Sequence, residues 1–168
     1  MNKKEIPYSD LLNVAYDVAI KGNIIKLKAD GNSMYPYIRK GSLLIISHVD
    51  FDKVAKGDVV VFKGQDKFIA HRLIKVQYVN KQRQLTTKGD SCNNADTAFG
   101  KDLYIGKVIA VEKNGKTIDM TTWMQKKTGL FLAIVSPYTP IVYNSIRFLK
   151  KMFIKKSLKK TYDNTSKK

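Results

Sequence analysis

The sequence predicts a mainly β domain, barrel-like or sandwich-like, preceded by one helix and followed by a basic helical tail. Three observations carry that reading. Apolar residues make up 43% of the 168, enough to build a core and to exclude wholesale disorder. Between residues 24 and 120, short runs rich in Val, Ile, Leu and Phe alternate with Gly, Asn and Asp turn signals at close spacing. The charge is also unevenly placed. Eleven of the 31 Lys and Arg, but only one acid (Asp163), fall in residues 126–168, so +10 of the formal +17 sits there. An evenly basic chain would suggest nucleic acid; this asymmetry suggests a basic tail on a moderately basic domain, and no nucleic-acid partner is expected.

The elements follow in order. Ser9 or Asp10 caps a helix through Leu11, Leu12, Val14, Ala15, Val18, Ala19 and Ile20, whose apolar residues recur at helical spacing until Gly22 stops it. Residues 24–29 alternate as a strand. Residues 42–47 form a continuously apolar strand after Gly41, and residues 58–63 read the same way after a Lys56-Gly57 turn. A Gly64-Gln65-Asp66 turn leads into a long strand at 68–79, and Asn80-Lys81 turns the chain into 84–88. A further strand spans 106–113, and Asn114-Gly115 signals a type I′ hairpin into 117–120. A composition shift at 121–127 closes this domain, giving one domain at 1–122 and a basic amphipathic tail at 123–168.

Residues 129–149 are apolar in bulk but interrupted by Pro137, Pro140, Asn144 and Arg147, which argues against a membrane span. Beyond Pro140, Val142, Ile146, Leu149 and Phe153 share one helical face. Lys150, Lys151, Lys155, Lys156, Lys159 and Lys160 lie close by, with Trp123, Tyr138 and Tyr143 nearby. Apolar burial combined with attraction to anionic headgroups makes this tail a membrane-surface anchor. Residues 1–25 contain no unbroken apolar core, so neither a secretory signal nor an N-terminal span is expected there. The single cysteine, Cys92, rules out an internal disulfide framework.

Three segments carry the chemistry. The first is Gly31-Asn32-Ser33-Met34-Tyr35-Pro36, a serine in a Gly/Pro-punctuated loop. The second is His71-Arg72-Leu73-Ile74, within the long strand. The third is Thr87-Lys88-Gly89-Asp90-Ser91-Cys92, continuing to Asp96. With Gly57-Asp58-Val59-Val60 between them, these segments resemble, in order and character, the signal peptidase and repressor-autopeptidase superfamily of serine proteases (S24/S26). The likeness spans about residues 24–111. The histidine in the second segment resembles the endoplasmic-reticulum and archaeal branch rather than the branch that uses a lysine base. The resemblance implies a signal-peptidase-like β fold and a serine endopeptidase without cofactor or metal.

The chemistry is sound on its own terms. A serine hydroxyl attacks poorly unless a base removes its proton, and an imidazole can do so near neutrality with little tuning. A lysine would have to be strongly desolvated first. The histidine in turn wants a carboxylate to hold its tautomer and stabilise the imidazolium. Ser33 is therefore the candidate nucleophile and His71 the base, with Asp90 and Asp96 both available as the acid. The resemblance favours Asp96, leaving Asp90 to support the loop. His48 lies outside the motifs and is expected at the surface; Cys92 is expected to be an unreactive thiol near the site.

One departure stands out. Many signal peptidases place a serine two residues before the nucleophile as an oxyanion donor, and Gly31 occupies that position here, so the second donor is unassigned. Relatives in the superfamily take substrate as an added β-strand, which implies that residues 24–29 and 68–70 flank a peptide with small side chains at the cut. The implied partners are a peptide or precursor-protein substrate and, through the tail, a membrane surface. Two arrangements stay open: a C-terminal anchor holding the domain on the far side of the membrane, or attachment at the cytoplasmic face. The lysines gathered at the C-terminus favour the second. Two other readings of the same segments are a self-cleaving regulator, which needs a helix-turn-helix ahead of Ser33, and a non-catalytic peptide- or membrane-binding module.

Overall fold

The computed structural model describes residues 14, 17, 18, 21–65 and 67–138. Residues through Ser136 form one compact unit, and the chain from Pro137 onward is a second. Of the helix expected at 9–20, only Val14, Asp17 and Val18 are described, and all three are helical. The tail helix expected beyond Pro140 lies outside the described residues.

Seven strands follow: β1 (Ile25–Lys28), β2 (Leu43–Ser47), β3 (Val59–Lys63), β4 (Phe68–Val79), β5 (Gln82–Lys88), β6 (Tyr104–Lys113) and β7 (Lys116–Asp119). They form one antiparallel sheet in the order β1-β2-β6-β3-β4-β5, with β7 also on β6. The sheet therefore ends at β1 and β5 and is not closed into a barrel. One edge of β6 takes β2, and its other edge is shared, with β3 on residues 104–107 and β7 on 110–113. Register shifts at Ile45/Ile46, Val61/Phe62 and Leu73/Lys75 bend the sheet, as an extra residue in one strand does.

The hairpin chemistry follows the residues. Asn114 and Gly115 both take positive φ (50° and 72°) to join β6 to β7, and Asn80 and Lys81 (49° and 63°) join β4 to β5. Paired positive φ is what a type I′ turn requires. The unbroken apolar run of β3 has an equally direct cause, since both of its faces are buried. Val59 and Val61 enter a core with Ile46 and Val108, whereas Val60 and Phe62 enter a second core with Leu73, Leu85 and Tyr104. A strand covered on both sides needs no polar alternation.

Behind the sheet lies one helix, α1 (Trp123–Val135), capped by the Thr122 side chain on the Gln125 N–H. Its inner face is set by Gly129 and Ala133, both buried. Gly129 packs directly on the Gly57 turn. A Cβ at Gly57 would lie 2.6 Å from Leu130 N, and one at Gly129 would lie 2.6 Å from Gly57 O. Gly57 also has φ +100°, so glycine is required there twice over. α1 is thus part of the compact unit that carries the sheet.

Gly129→Ala should overpack this contact and destabilise the fold by about 1–3 kcal/mol, read as a lower urea midpoint with unchanged slope.

Candidate active site

Ser33 sits in a loop held at its neck by Ala29 N–H to Ser42 O (2.8 Å) and Gly41 N–H to Ala29 O (2.7 Å). Just past the serine the chain makes one helical turn, with Ile38 N–H donating to Met34 O at 2.9 Å. Met34 and Ile38, four residues apart and both buried, plug that turn into the core. The Tyr35–Pro36 bond is cis. Lys40 N–H donates to the Asn32 side chain at 3.0 Å, closing the loop across its base.

His71 stands in β4 opposite Val60 of β3. Its Nε2 lies 3.0 Å from Ser33 Oγ and its Nδ1 2.7 Å from Asp96 Oδ2. An ionised carboxylate has no proton to give, so Nδ1 carries the hydrogen and Nε2 is left to accept from the serine hydroxyl. The same Asp96 oxygen accepts from Thr87 Oγ1 at 2.6 Å. Asp96 reaches this position because the chain after β5 turns back on itself. Its N–H donates to Thr87 O (2.8 Å), and Leu85 and Phe99 exchange backbone hydrogen bonds. His71 and Asp96 keep only 12% and 24% of their side-chain exposure, so the pair works in a partly dehydrated setting.

Asp90 has a different place. Both its oxygens go to Arg72, with Nε and Nη2 each at 2.7 Å, while Nη1 donates to Gly57 O at 2.9 Å. The Arg72 guanidinium also lies over the Tyr37 ring, 5.5 Å from its centroid. Tyr37 Oη donates to the Gln125 side chain on α1, and Lys88 Nζ donates to Ser136 O just past the end of α1. Burial pulls the Lys88 ammonium below its ordinary pKa. Successive turns of α1 therefore meet the Ser33 loop through Tyr37, the Gly57 turn beside Arg72, and β5 through Lys88.

The third segment is pressed against the serine. Ser91 N–H donates to Ser33 O at 2.8 Å, and Ser91 Oγ lies within reach of the carbonyls of Asn32 and Ser33. Gly89 leaves no room for a side chain. A Cβ there would fall 2.7 Å from Ser33 O, 3.1 Å from His71 Nε2 and 2.6 Å from Cys92 Sγ. Burial, and then the charge of Asp96, push the Cys92 thiol above its usual pKa, which keeps thiolate scarce. His48 is half-buried rather than at the surface, with Nδ1 3.0 Å from Ile105 O. Among the described residues no cluster of His, Cys, Asp and Glu could hold a metal ion.

A cavity of about 640 Å³ opens in front of Ser33 and His71. Its walls are Leu27 and Ala29 on one side and Phe68 and Ala70 on the other, with Met34 and Val61 also lining it. Beyond the serine, histidine and two aspartates, the structure adds Thr87, Ser91, Arg72 and Tyr37 to the site. Ser91 and Thr87 lie inside the third segment, and Arg72 directly follows the histidine. Tyr37 gave no signal of its own, because its role depends on a helix nearly ninety residues downstream.

The fold and site together define a class. Residues 2–109 match the family described as Peptidase S24-like, and the chain belongs to that family. It is similar to the signal peptidase complex catalytic subunit SEC11C of Homo sapiens, 32% identical over 117 residues, which are 61% of this chain and 60% of that protein. It is also similar to the signal peptidase complex catalytic subunit SEC11 of Metarhizium robertsii, 39% identical over 75 residues (43% of this chain, 41% of that protein). The chain thus spans about 60% of the length of the mammalian relative and less of the fungal one.

Arg72→Ala leaves Asp90 buried without its partner and should cost about 3–5 kcal/mol in chemical unfolding. Arg72→Lys should recover only a minor part, since one ammonium cannot meet both carboxylate oxygens and the Gly57 carbonyl in a plane.

Proposed function

We propose that this chain is a serine endopeptidase of the signal peptidase type, with Ser33 as nucleophile, His71 as general base and Asp96 as the carboxylate that orients it. The observation that carries this reading is the continuous line from Ser33 Oγ through His71 Nε2 and Nδ1 to Asp96 Oδ2, at 3.0 and 2.7 Å. Nε2 takes the serine proton as Oγ bonds to the scissile carbonyl carbon. The resulting imidazolium gives that proton to the leaving amine as the C–N bond breaks, and an acyl-serine remains. Water then enters by the same route in reverse, its proton passing through His71 back to Ser33 Oγ. Asp96 remains ionised throughout, and Thr87 holds the carboxylate in place. Asp90 acts at one remove, fixing the loop through Arg72. The backbone N–H of Ser33 serves as one oxyanion donor.

The groove supports substrate binding as an extended strand between Leu27–Ala29 and Phe68–Ala70. Its alanines and the close approach of Met34 favour small side chains beside the cut. By likeness to the signal peptidase catalytic subunits, the substrates are signal or leader peptides of precursor proteins. The chain works at a membrane, held there through its basic C-terminal region and on the cytoplasmic face, as the gathered lysines favour. None of the described helices is long and apolar enough to cross a bilayer.

Ser33→Ala should abolish peptide hydrolysis, and Asp96→Asn should lower kcat on the order of 10⁴-fold by allowing the wrong tautomer. Mass spectrometry of peptide termini from cells with and without Ser33→Ala should show new termini, following small residues, that vanish in the variant. Identical termini in both would reject the peptidase reading. Gly89→Ala, which would displace His71 Nε2 or Ser33 by a fraction of an ångström, should cost about 100-fold in kcat. Protease protection of spheroplasts reports the membrane face; digestion of the intact chain from outside would exclude the cytoplasmic side.

A further inference from the structure

α1 is apolar on both sides. Among the described residues, only one face of α1 is covered. Gln125, Gly129, Leu132 and Ala133 turn toward the domain, whereas Trp123, Leu130, Phe131 and Ile134 project away from it. Trp123 and Phe131 are 65% and 63% exposed, and Met124 and Ile134 are 61% and 53% exposed. Four large apolar side chains on one strip of a folded domain are more than scattered surface hydrophobics.

The charge around that strip selects its occupant. α1 contains no acid; it carries Lys126 and Lys127, and the Lys127 ammonium lies 4.6 Å from the centroid of the Trp123 ring. Residues 126–168 add ten net positive charges. A second copy of the same face would bring like charge against like. The chain's own lysine-rich tail meets the same objection. Trp, Phe and Leu on one side with lysines at the flank are what the boundary of an anionic bilayer takes up, with apolar groups among the acyl chains and ammonium groups at the phosphates.

We propose that the outer face of α1, Trp123 with Leu130, Phe131 and Ile134, is a docking surface for anionic phospholipid. This deepens the membrane reading given above and rests on it, but not on the peptidase reading. It places the membrane contact on the stretch of residues 123–168 that belongs to the folded unit. α1 belongs to the same compact unit as Ser33, and its inner face bonds the Ser33 loop through Gln125 and Tyr37. The orientation of the groove toward the bilayer is then set by the fold rather than by a tether of variable reach.

Trp123 is the only tryptophan, so its emission reports this face alone. The full-length protein is titrated with vesicles of phosphatidylglycerol and phosphatidylcholine, and with phosphatidylcholine alone. The expected result is a blue shift and protection from acrylamide with the anionic vesicles, weakened by salt. The double variant Phe131→Ser/Ile134→Ser should lose about tenfold or more in partitioning. Both positions are solvent-exposed, so its urea midpoint and its rate on a short soluble peptide should match wild type. If wild type binds anionic vesicles with no change in Trp123 emission, and the double variant binds equally, the proposal fails while attachment through the tail stands. No binding by wild type would overturn both. Trp123 emission already blue-shifted and shielded without lipid would show the face covered by protein, and would also reject the proposal.

Discussion

The guanidinium of Arg72 is the point on which the site depends. It is 1% exposed, next to the candidate base in sequence, and each of its three nitrogens donates a hydrogen bond. Two parallel hydrogen bonds go to Asp90, a third to the Gly57 carbonyl, and its face to the Tyr37 ring. Such a buried ion pair is a poor source of net stability, because desolvating the two charges offsets most of their attraction. What it supplies is position. The loop after β5 cannot leave β4 without stranding a charge in a dry interior. The same guanidinium holds the turn before β3 through Gly57 O and the Ser33 loop through the Tyr37 ring.

Around that point the architecture is economical. β3 is apolar on both faces, so it stands in the middle of the sheet with β4 and β6 beside it and a core on either side. His71 rides on β4, paired in the sheet with this best-buried strand. Asp96 comes from a loop, yet the return of that loop to β5 gives it strand-like hydrogen bonds. A loop serine, a strand histidine and a loop carboxylate are thereby held to hydrogen-bonding distances that isolated loops would not keep.

α1 connects the two themes. Its inner face touches the Ser33 loop, the Gly57 turn and the end of β5 in successive turns, while its outer face is apolar and unaccompanied by acid. Small residues make the inner contact possible: Gly57 and Gly129 bring two backbones closer than any side chain would permit. α1 thus joins an exposed apolar strip to the segments that hold the serine. The groove beside Ser33 is lined by Ala29 and Ala70 among larger apolar residues.

Much of this was legible along the chain because it depends on neighbours in sequence. Strand positions came within about two residues from apolar runs and turn signals, since a strand's period and a type I′ turn are local properties. The Asn-Gly hairpin and the unbroken apolar run of β3 followed from residue types alone. Ser33 and His71 were singled out by the order of their segments, whereas residue types left Asp90 and Asp96 both open and the family resemblance favoured Asp96. The open sheet, ending at β1 and β5, was decided by long-range pairing, which local pattern does not encode. The same holds for the place of Asp90, bound to Arg72. The two aspartates are six residues apart and chemically identical, and only the return of the chain onto β5 separates the one that faces the imidazole from the one that faces the guanidinium. The packing of α1 on Gly57 likewise required the tertiary structure. A run such as Trp-Met-Gln-Lys-Lys-Thr-Gly-Leu-Phe-Leu-Ala-Ile-Val announces a helix and its hydrophobicity, but which side meets protein depends on where a distant glycine turn leaves room.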